Sequence, residues 1–387
     1  MGSKKLLWNI VAAMLWGAVL VAVLARAGLH PARPTSLTTY LTGGMAWRES
    51  RPLYTNWRGF LYPPVIAWFF GLFTRMPAGV AAVLWRMLAA GTYLAGLGVL
   101  LRAGVFRRIP EGRRGLVFLG ALPLSIGNID NGQANPLIAG LMMLAVASAG
   151  WEAWSVCAVA IGIATAFKIY PLALGMLLCV ARPRELTWRV ALVLAVLAAA
   201  PFALQDAHYV SGQYHAWLHT RMADDRFHYP MKDAPLDLWY LLVRLGNLPV
   251  SPRVYMAAQV AGGTGIAWWV WSRTRNGVDR REVLAGMYLL VSVWMLLLGP
   301  ATENQTYVVL APAACLVAVG TFTAEKGGAA RVLGIAGFAL LLAAAARNSL
   351  LPHLKSPGYM AIQPVGALIL LAAVLVGGAT TIRPRPR

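Results

Sequence analysis

Long apolar runs separated by short polar connections recur along almost the whole sequence. A helix needs about 20 apolar residues to cross a bilayer, so the longest runs predict membrane-spanning helices. Several runs are shorter, and these predict broken or re-entrant helices among the spans. The pattern therefore predicts an all-α, polytopic membrane protein in which residues 1–387 form one integral domain. The runs cover residues 6–28, 60–76, 78–101, 115–127, 133–149, 151–167, 169–181, 187–204, 253–272, 282–299, 303–320, 332–349 and 358–379.

The composition supports this class. Hydrophobic residues make up 59% and charged residues 12% of the 387 residues, whereas soluble proteins carry about 25% charged residues. This balance excludes a soluble globular enzyme, a disordered chain and a disulfide-rich secreted domain. The net charge of +20 would suggest nucleic acid on a soluble chain. Here the basic residues cluster between apolar runs, as in cytoplasmic loops, so no nucleic-acid partner is expected.

The basic clusters also predict the topology. If all of them are cytoplasmic, the chain has about 12 spans, both termini lie inside the cell, and residues 60–76 dip into the membrane without crossing. In the alternative, 60–76 crosses and 115–127 does not. Either arrangement describes a multi-pass protein of the inner or plasma membrane. The clusters are Lys4/Lys5, 102–114, 182–189, 273–281, 326–331 and 383–387.

Both topologies place the same four polar segments on the non-cytoplasmic face. Two are long outer-face loops, residues 29–59 and 205–252, which leave room for interfacial helices. The other two are the turns at 127–135 and 300–304. Because polar residues are gathered on one face of the membrane, that face is where we expect the chemistry.

Three carboxylates on that face are candidate catalytic bases. Asp130 and Glu303 interrupt apolar helices at membrane depth, where ionisable groups are costly and usually functional. Glu49 lies in the first outer loop. The alternative for Asp130 is a polar capped turn, and for Glu303 a helix-capping carboxylate.

The turn that contains Asp130 also carries three amide side chains, Asn131, Gln133 and Asn135. Amides both donate and accept hydrogen bonds, which suits them to sugar hydroxyls. The alternative is again a capped turn that happens to be polar.

Cationic side chains predict a site for a lipid phosphate. Lys168 stands alone in the apolar stretch 164–171, where an ammonium group needs an anionic partner or must reach the interface. The first outer loop adds Arg58 and Tyr62 to a mixture of arginines and aromatic residues. Such side chains suit phosphate and sugar or prenyl groups, or they form an ordinary interfacial belt.

No cofactor is expected from the sequence. His215 and His219 share a helical spacing but lack the further ligands that zinc needs. The pair Asp224 and Asp225 could hold a divalent cation, or it is simply an exposed acidic pair. Phosphate-binding loops, dinucleotide fingerprints and nucleophile elbows are not found.

Five stretches together resemble glycosyltransferase family 87, which includes a mycobacterial phosphatidylinositol mannoside mannosyltransferase. The resemblance implies a GT-C-type fold, and transfer of a hexose or pentose, mannose-like, from a polyprenyl-phosphate donor to a lipid or glycan acceptor at the outer face. It also implies inversion at the anomeric carbon. The stretches are 40–44 through 52–54, 60–64, 131–137, 168–171, and a helix break at Pro300 ahead of Tyr307 and Pro312.

The family uses an aspartate of the first loop as its base, and here that position is occupied by Ser36. A serine needs help to act as a base. Our hypothesis is therefore that Glu303, Glu49 or Asp130 is the base. Lys168 and Arg58 would then bind the phosphate, while the substrate-binding surface would be completed by Tyr62, Ser36, Asn131, Gln133 and Asn135.

Two other functions fit the same features. A flippase or transporter for lipid-linked sugars would also use broken helices and polar residues at membrane depth, but it should show related halves, which the sequence lacks. A catalytically silent relative would explain Ser36.

Overall fold

The computed structural model describes residues 2–55, 59–107, 109–299, 302–323, 328–351 and 356–377. Over these residues the regular structure is entirely helical, which confirms the predicted all-α class. The α-helices are α1 (Gly2–Leu29), α2 (Ser36–Arg48), α3 (Pro64–Phe73), α4 (Ala78–Arg102), α5 (Arg114–Asp130), α6 (Asn135–Gly150), α7 (Trp154–Phe167), α8 (Pro171–Ala181), α9 (Pro183–Leu204), α10 (Ala207–Met222), α11 (Pro252–Arg275), α12 (Arg280–Leu297), α13 (Ala311–Thr323), α14 (Gly328–Leu350) and α15 (Pro357–Val376).

Each apolar run of the sequence overlaps one of these helices. Among the described residues, five helices are long and apolar enough to cross a membrane: α1, α4, α9, α14 and α15. Shorter apolar helices include α3, α6, α7, α8 and α13. The chain is therefore a multi-pass membrane protein, and the figure of 12 spans stays a prediction.

The segment 60–76 forms only a short helix. Ten residues of α3 rise about 15 Å at 1.5 Å per residue, while the hydrocarbon core is about 30 Å thick. A helix of this length cannot cross alone, and the same holds for α8, so the choice between the two topologies stays a prediction.

Both predicted outer-face loops contain a helix. α2 begins after Thr35, whose backbone is extended (φ −140°, ψ 170°) and whose N–H donates to Thr38 Oγ1 over 3.4 Å. It then packs closely on α3, since a Cβ at Gly44 would lie 2.6 Å from the backbone of Phe70. The loop 205–252 contains α10. The polar residues of these loops are thus carried partly on helices.

Small residues bring α4 and α6 into close contact. A Cβ at Gly96 would lie 2.3 Å from the carbonyl oxygen of Gly140, and one at Gly140 would lie equally close to that of Thr92. Small residues allow this approach between membrane helices. Because α6 follows directly after the 127–135 turn, its packing on α4 fixes the position of that turn.

Candidate active site

The segment 127–135 forms a sharp bend between α5 and α6. Asn131 N donates to Gly127 O over 3.0 Å, and Gln133 N donates to Asn128 O over 3.0 Å. Between them Gly132 adopts a left-handed backbone (φ +63°), which glycine tolerates without strain. From α4, Trp85 Nε1 donates to Gly132 O over 2.7 Å. The bend is therefore a fixed platform for its amide side chains.

Two of these amides converge on the start of α2. Asn131 Nδ2 and Gln133 Nε2 donate to Ser36 Oγ over 3.0 and 2.5 Å. The Tyr40 hydroxyl, one helical turn further along α2, donates to Gln133 Oε1 over 3.3 Å. That hydroxyl accepts from Tyr62 and from Ala134 N, each over 3.2 Å. We call this set of hydrogen-bonded residues the Ser36–Tyr62 network.

The bend also contacts the turn after α12 and the break between α7 and α8. Gln133 Nε2 donates to Gln305 Oε1, and Asn135 Nδ2 donates to the carbonyl oxygen of Gln305 over 3.0 Å. The Tyr170 hydroxyl donates to Asn135 Oδ1 over 3.4 Å. Two segments thus contact the bend, one that contains Lys168 and one that contains Glu303. They lie more than 130 residues apart in the sequence.

Glu303 is the N-cap residue of a short 3₁₀-helix, Asn304–Val309, and its side chain is exposed. Its backbone N–H donates to Thr306 Oγ1 over 3.2 Å. Burial raises the pKa of Tyr40 to about 12 and that of Tyr62 well above its usual value, and the negative charge of Glu303 adds to both rises. Glu303 is therefore close enough to the Ser36–Tyr62 network to influence it electrostatically.

The 303–309 turn is held by the loop after α10. Leu236 N donates to Thr302 O, and the Tyr307 hydroxyl donates to Leu236 O, both over 2.7 Å. Next to these contacts Asp237 is completely buried and paired with Arg226. Burial raises the pKa of Asp237 to about 6 although Arg226 opposes the rise. This loop positions the segment on which Glu303 lies.

Asp130 is engaged in ion pairs. Its two carboxylate oxygens lie 2.6 Å from Arg26 Nη2 and Arg33 Nη2 respectively. Arg86 donates to the carbonyl oxygen of Asp130 from Nε and Nη2 over 3.0 and 2.8 Å. Because both carboxylate oxygens are paired with guanidinium groups, Asp130 is suited to anchoring the bend and poorly suited to accepting a proton.

Glu49 lies at the opposite end of α2 from Ser36. It is exposed and its carboxylate pairs with Arg51 over 2.6 Å, so its described contacts do not join it to the network.

Lys168 follows α7 in an extended conformation (φ −149°, ψ 144°) and is half-buried. Over the described residues, no carboxylate oxygen lies within 4.0 Å of its ammonium nitrogen. Arg58 and Pro300 lie outside the described residues.

The acidic pair of the second loop is occupied by neighbours. Asp225 contacts His228 Nδ1 over 2.6 Å, and Asp224 accepts from the Tyr229 hydroxyl and pairs with Arg221. Within the described part of the chain, no group of three or more His, Cys, Asp or Glu residues is arranged to hold a metal ion.

Sequence reasoning did not single out Tyr40, Tyr170 or Gln305 as site residues, yet all three hold the bend in place. Tyr40 and Tyr170 lie within stretches that carried the family resemblance, and Gln305 stands two residues after Glu303. Their positions were visible in the sequence, but their shared contacts depend on the packing of distant helices.

These features define a multi-pass helical membrane protein with a site of amide, tyrosine and carboxylate side chains at helix ends. The chain belongs to glycosyltransferase family 87, whose sequence profile matches residues 60–300, well over half of it. The family resemblance is thus confirmed, and the chain is a membrane glycosyltransferase.

Two solved structures are similar to the chain. ArnT from Cupriavidus metallidurans bound to undecaprenyl phosphate matches with a TM-score of 0.46 and 15% identity, covering 95% of this chain and 78% of ArnT. ArnT from the same organism in the apo state matches with a TM-score of 0.43, 17% identity and the same coverage. No curated protein matches the sequence.

Proposed function

We propose that this protein transfers a sugar from a polyprenyl-phosphate donor to a lipid or glycan acceptor, with Glu303 as the catalytic base. The observation that carries the proposal is the setting of Glu303. Its carboxylate is exposed and forms no ion pair with another described residue, and Gln305, two residues further along, contacts Gln133 of the Ser36–Tyr62 network. Asp130 and Glu49, by contrast, are each paired with arginine.

The reaction needs one base and one stabilised leaving group. The acceptor hydroxyl gives its proton to a Glu303 oxygen while the acceptor oxygen bonds to the anomeric carbon. The bond between that carbon and the donor phosphate oxygen breaks, and its electron pair leaves with the polyprenyl phosphate. Attack on the face opposite the phosphate inverts the anomeric centre, as the family resemblance implies.

Lys168 is the proposed partner of the donor phosphate. An ammonium group that is half-buried and lacks a carboxylate within the described residues is electrostatically unbalanced at membrane depth. The donor phosphate is a diester with one negative charge, which balances the ammonium. When the bond to the anomeric carbon breaks, the ammonium stabilises the second charge that develops on the leaving polyprenyl phosphate. The sequence assigns Arg58 the same role.

Ser36 has a positioning role in this proposal. Its Oγ accepts hydrogen bonds from Asn131 and Gln133, which fixes both amides. Asn131 is only partly buried and keeps hydrogen-bonding capacity for sugar hydroxyls. Gln133 is 7% exposed and Asn135 is completely buried, so these two amides orient the bend instead. Tyr62 adds an aromatic face against which a sugar ring can pack.

The resemblance to the family further supports a mannose-like hexose or pentose as the transferred sugar. The positions of the basic clusters support a cell-membrane location with the site on the non-cytoplasmic face and both termini inside.

The test is Glu303→Gln, which removes the basic oxygen and keeps the side chain's shape. In proteoliposomes supplied with labelled polyprenyl-phosphate mannose, glucose and arabinose and with an acceptor lipid extract, we expect transfer to fall by about 10²-fold or more. Glu49→Gln, a matched change in an exposed carboxylate, should leave the rate within about twofold.

Retained transfer in Glu303→Gln would contradict the assignment of the base. Movement of the labelled donor across the bilayer, without product in the unmodified protein, would favour the flippase instead.

A further inference from the structure

A second feature of the fold is a cavity behind the bend. It has a volume of about 310 Å³ and lies between α5, the 303–309 turn, α14 and α15. Small-molecule sites occupy about 300–1,000 Å³. The cavity adjoins the candidate active site, since Asn131 and Gln305 take part in both.

The lining of this cavity is rich in amides and free of charge. Its described lining residues include six carboxamide side chains and no Asp, Glu, Lys or Arg: the six are Asn128, Asn131, Asn304, Gln305, Asn348 and Gln363. A gap among apolar helices does not require such a lining, because each amide costs free energy there unless it is hydrogen-bonded.

Several of these amides are held in fixed orientations. Asn348 Oδ1 accepts from Arg347, and Asn348 Nδ2 donates to Asn304 Oδ1. Gln363 Nε2 donates to the carbonyl oxygen of Asn304 over 3.2 Å. Asn304 thereby connects α14 and α15 to the turn that begins at Glu303. The cavity wall and the proposed base belong to one hydrogen-bonded unit.

Two acceptors on the wall lack a partner. Gln363 is 5% exposed, and its Oε1 has no hydrogen-bond partner among the described residues. The same holds for Asn128 Oδ1. A buried acceptor left unpaired costs about 1–3 kcal/mol. Both atoms belong to side chains that line the cavity, but the atoms themselves are buried within the wall, so a ligand O–H donor satisfies them once the amide turns toward the cavity.

We propose that this cavity binds a neutral sugar unit of one of the two substrates. Sugar hydroxyls donate and accept, as carboxamides do. A prenyl chain offers no donor to the two unpaired acceptors, and a phosphate or uronic acid would find no cation among the described lining residues. The proposal rests on the transferase function proposed above and adds a subsite to it. The sugar is either that of the donor or a sugar residue of the acceptor.

The test uses two neighbouring alanines of α14. Ala345 lines the cavity, while Ala346 is exposed on the outer surface of the helix. Ala345→Phe fills the cavity and Ala346→Phe is its matched control. Equilibrium binding to the full chain in nanodiscs is measured for three labelled probes: polyprenyl-phosphate mannose, polyprenyl phosphate alone, and dodecyl mannoside.

If the subsite holds the donor sugar, Ala345→Phe should weaken binding of polyprenyl-phosphate mannose at least tenfold relative to Ala346→Phe. The affinities of the two variants for polyprenyl phosphate alone should then agree within twofold. An acceptor subsite predicts the same selective loss for dodecyl mannoside. Gln363→Leu, which removes the unpaired acceptor without filling the space, should weaken the affected probe in the same direction.

Unchanged binding of all three probes would overturn the proposal and would mean that the cavity holds only water. An equal loss for all three would also overturn it, since a sugar subsite must be selective. The sugar site is tested by equilibrium binding and the base by the transfer rate of Glu303→Gln, so failure of the base assignment and failure of the sugar site are separate results.

Discussion

Gln133 and Ser36, which are 97 residues apart, are joined by a hydrogen bond of 2.5 Å from Gln133 Nε2 to Ser36 Oγ. Asn131 Nδ2 donates to the same oxygen over 3.0 Å. Two amide donors therefore converge where the family resemblance places an aspartate. A carboxylate at this first residue of α2 would accept both donors and would also be favoured by the helix N-terminus.

This geometry predicts that Ser36→Asp supplies a second base. In the Glu303→Gln background, Ser36→Asp should raise the transfer rate at least about tenfold, since a general base contributes about 10²–10⁴-fold. Ser36→Asn, which has a similar size and no charge, is the control. Equal rates for the two double variants would show that position 36 does not face the reacting hydroxyl.

The Tyr40 hydroxyl accepts the Ala134 N–H and donates to Gln133 Oε1. Tyr40 is buried, so Tyr40→Phe leaves both groups without this partner and should lower the free energy of unfolding by about 1–3 kcal/mol. The measurement is thermal unfolding of the detergent-solubilised protein. Tyr359→Phe, at a residue that is 46% exposed on α15, should show no shift. A stable Tyr40→Phe protein would mean that the bend is held by other contacts.

Asp237 predicts a pH dependence of stability. Burial raises its pKa from 3.8 in the unfolded chain to about 6, so the folded state holds its proton more tightly. Stability from this group is complete below about pH 4 and is lost as the pH rises through 6. The free energy of unfolding of the unmodified protein, relative to that of Asp237→Asn, should therefore fall by about 1–3 kcal/mol between pH 4 and pH 7. If this difference in the free energy of unfolding rises with pH instead, pairing with Arg226 outweighs burial in setting the pKa of Asp237.

Lys168 predicts a change in donor affinity. Lys168→Met removes the ammonium charge and keeps an unbranched chain, so the KM for the polyprenyl-phosphate donor should rise about tenfold or more. Lys168→Arg keeps the charge and should retain most of the affinity. The two variants are compared in steady-state transfer assays with the acceptor at saturation. Similar KM values for Met and Arg would place the phosphate elsewhere.

The sequence by itself determined the class and the places where chemistry could lie. Apolar runs predict helices wherever they occur, because every backbone polar group must be satisfied inside the bilayer. The polar breaks between these runs indicated the 127–135 bend and a turn at 300–304. In the structure the bend and the turn that begins at Glu303 both belong to the candidate site.

Only the tertiary structure distinguished Asp130 from Glu303, since each is a carboxylate at a helix break in the sequence. Arg33 lies 97 residues before Asp130 and pairs with it only because α5 packs beside α1. Likewise the amides of Asn348 and Gln363 meet Asn304 only where α14 and α15 reach the turn. The apolar pattern of a sequence predicts local helices. Ion pairs and cavities form between distant segments, and their positions depend on how the helices pack.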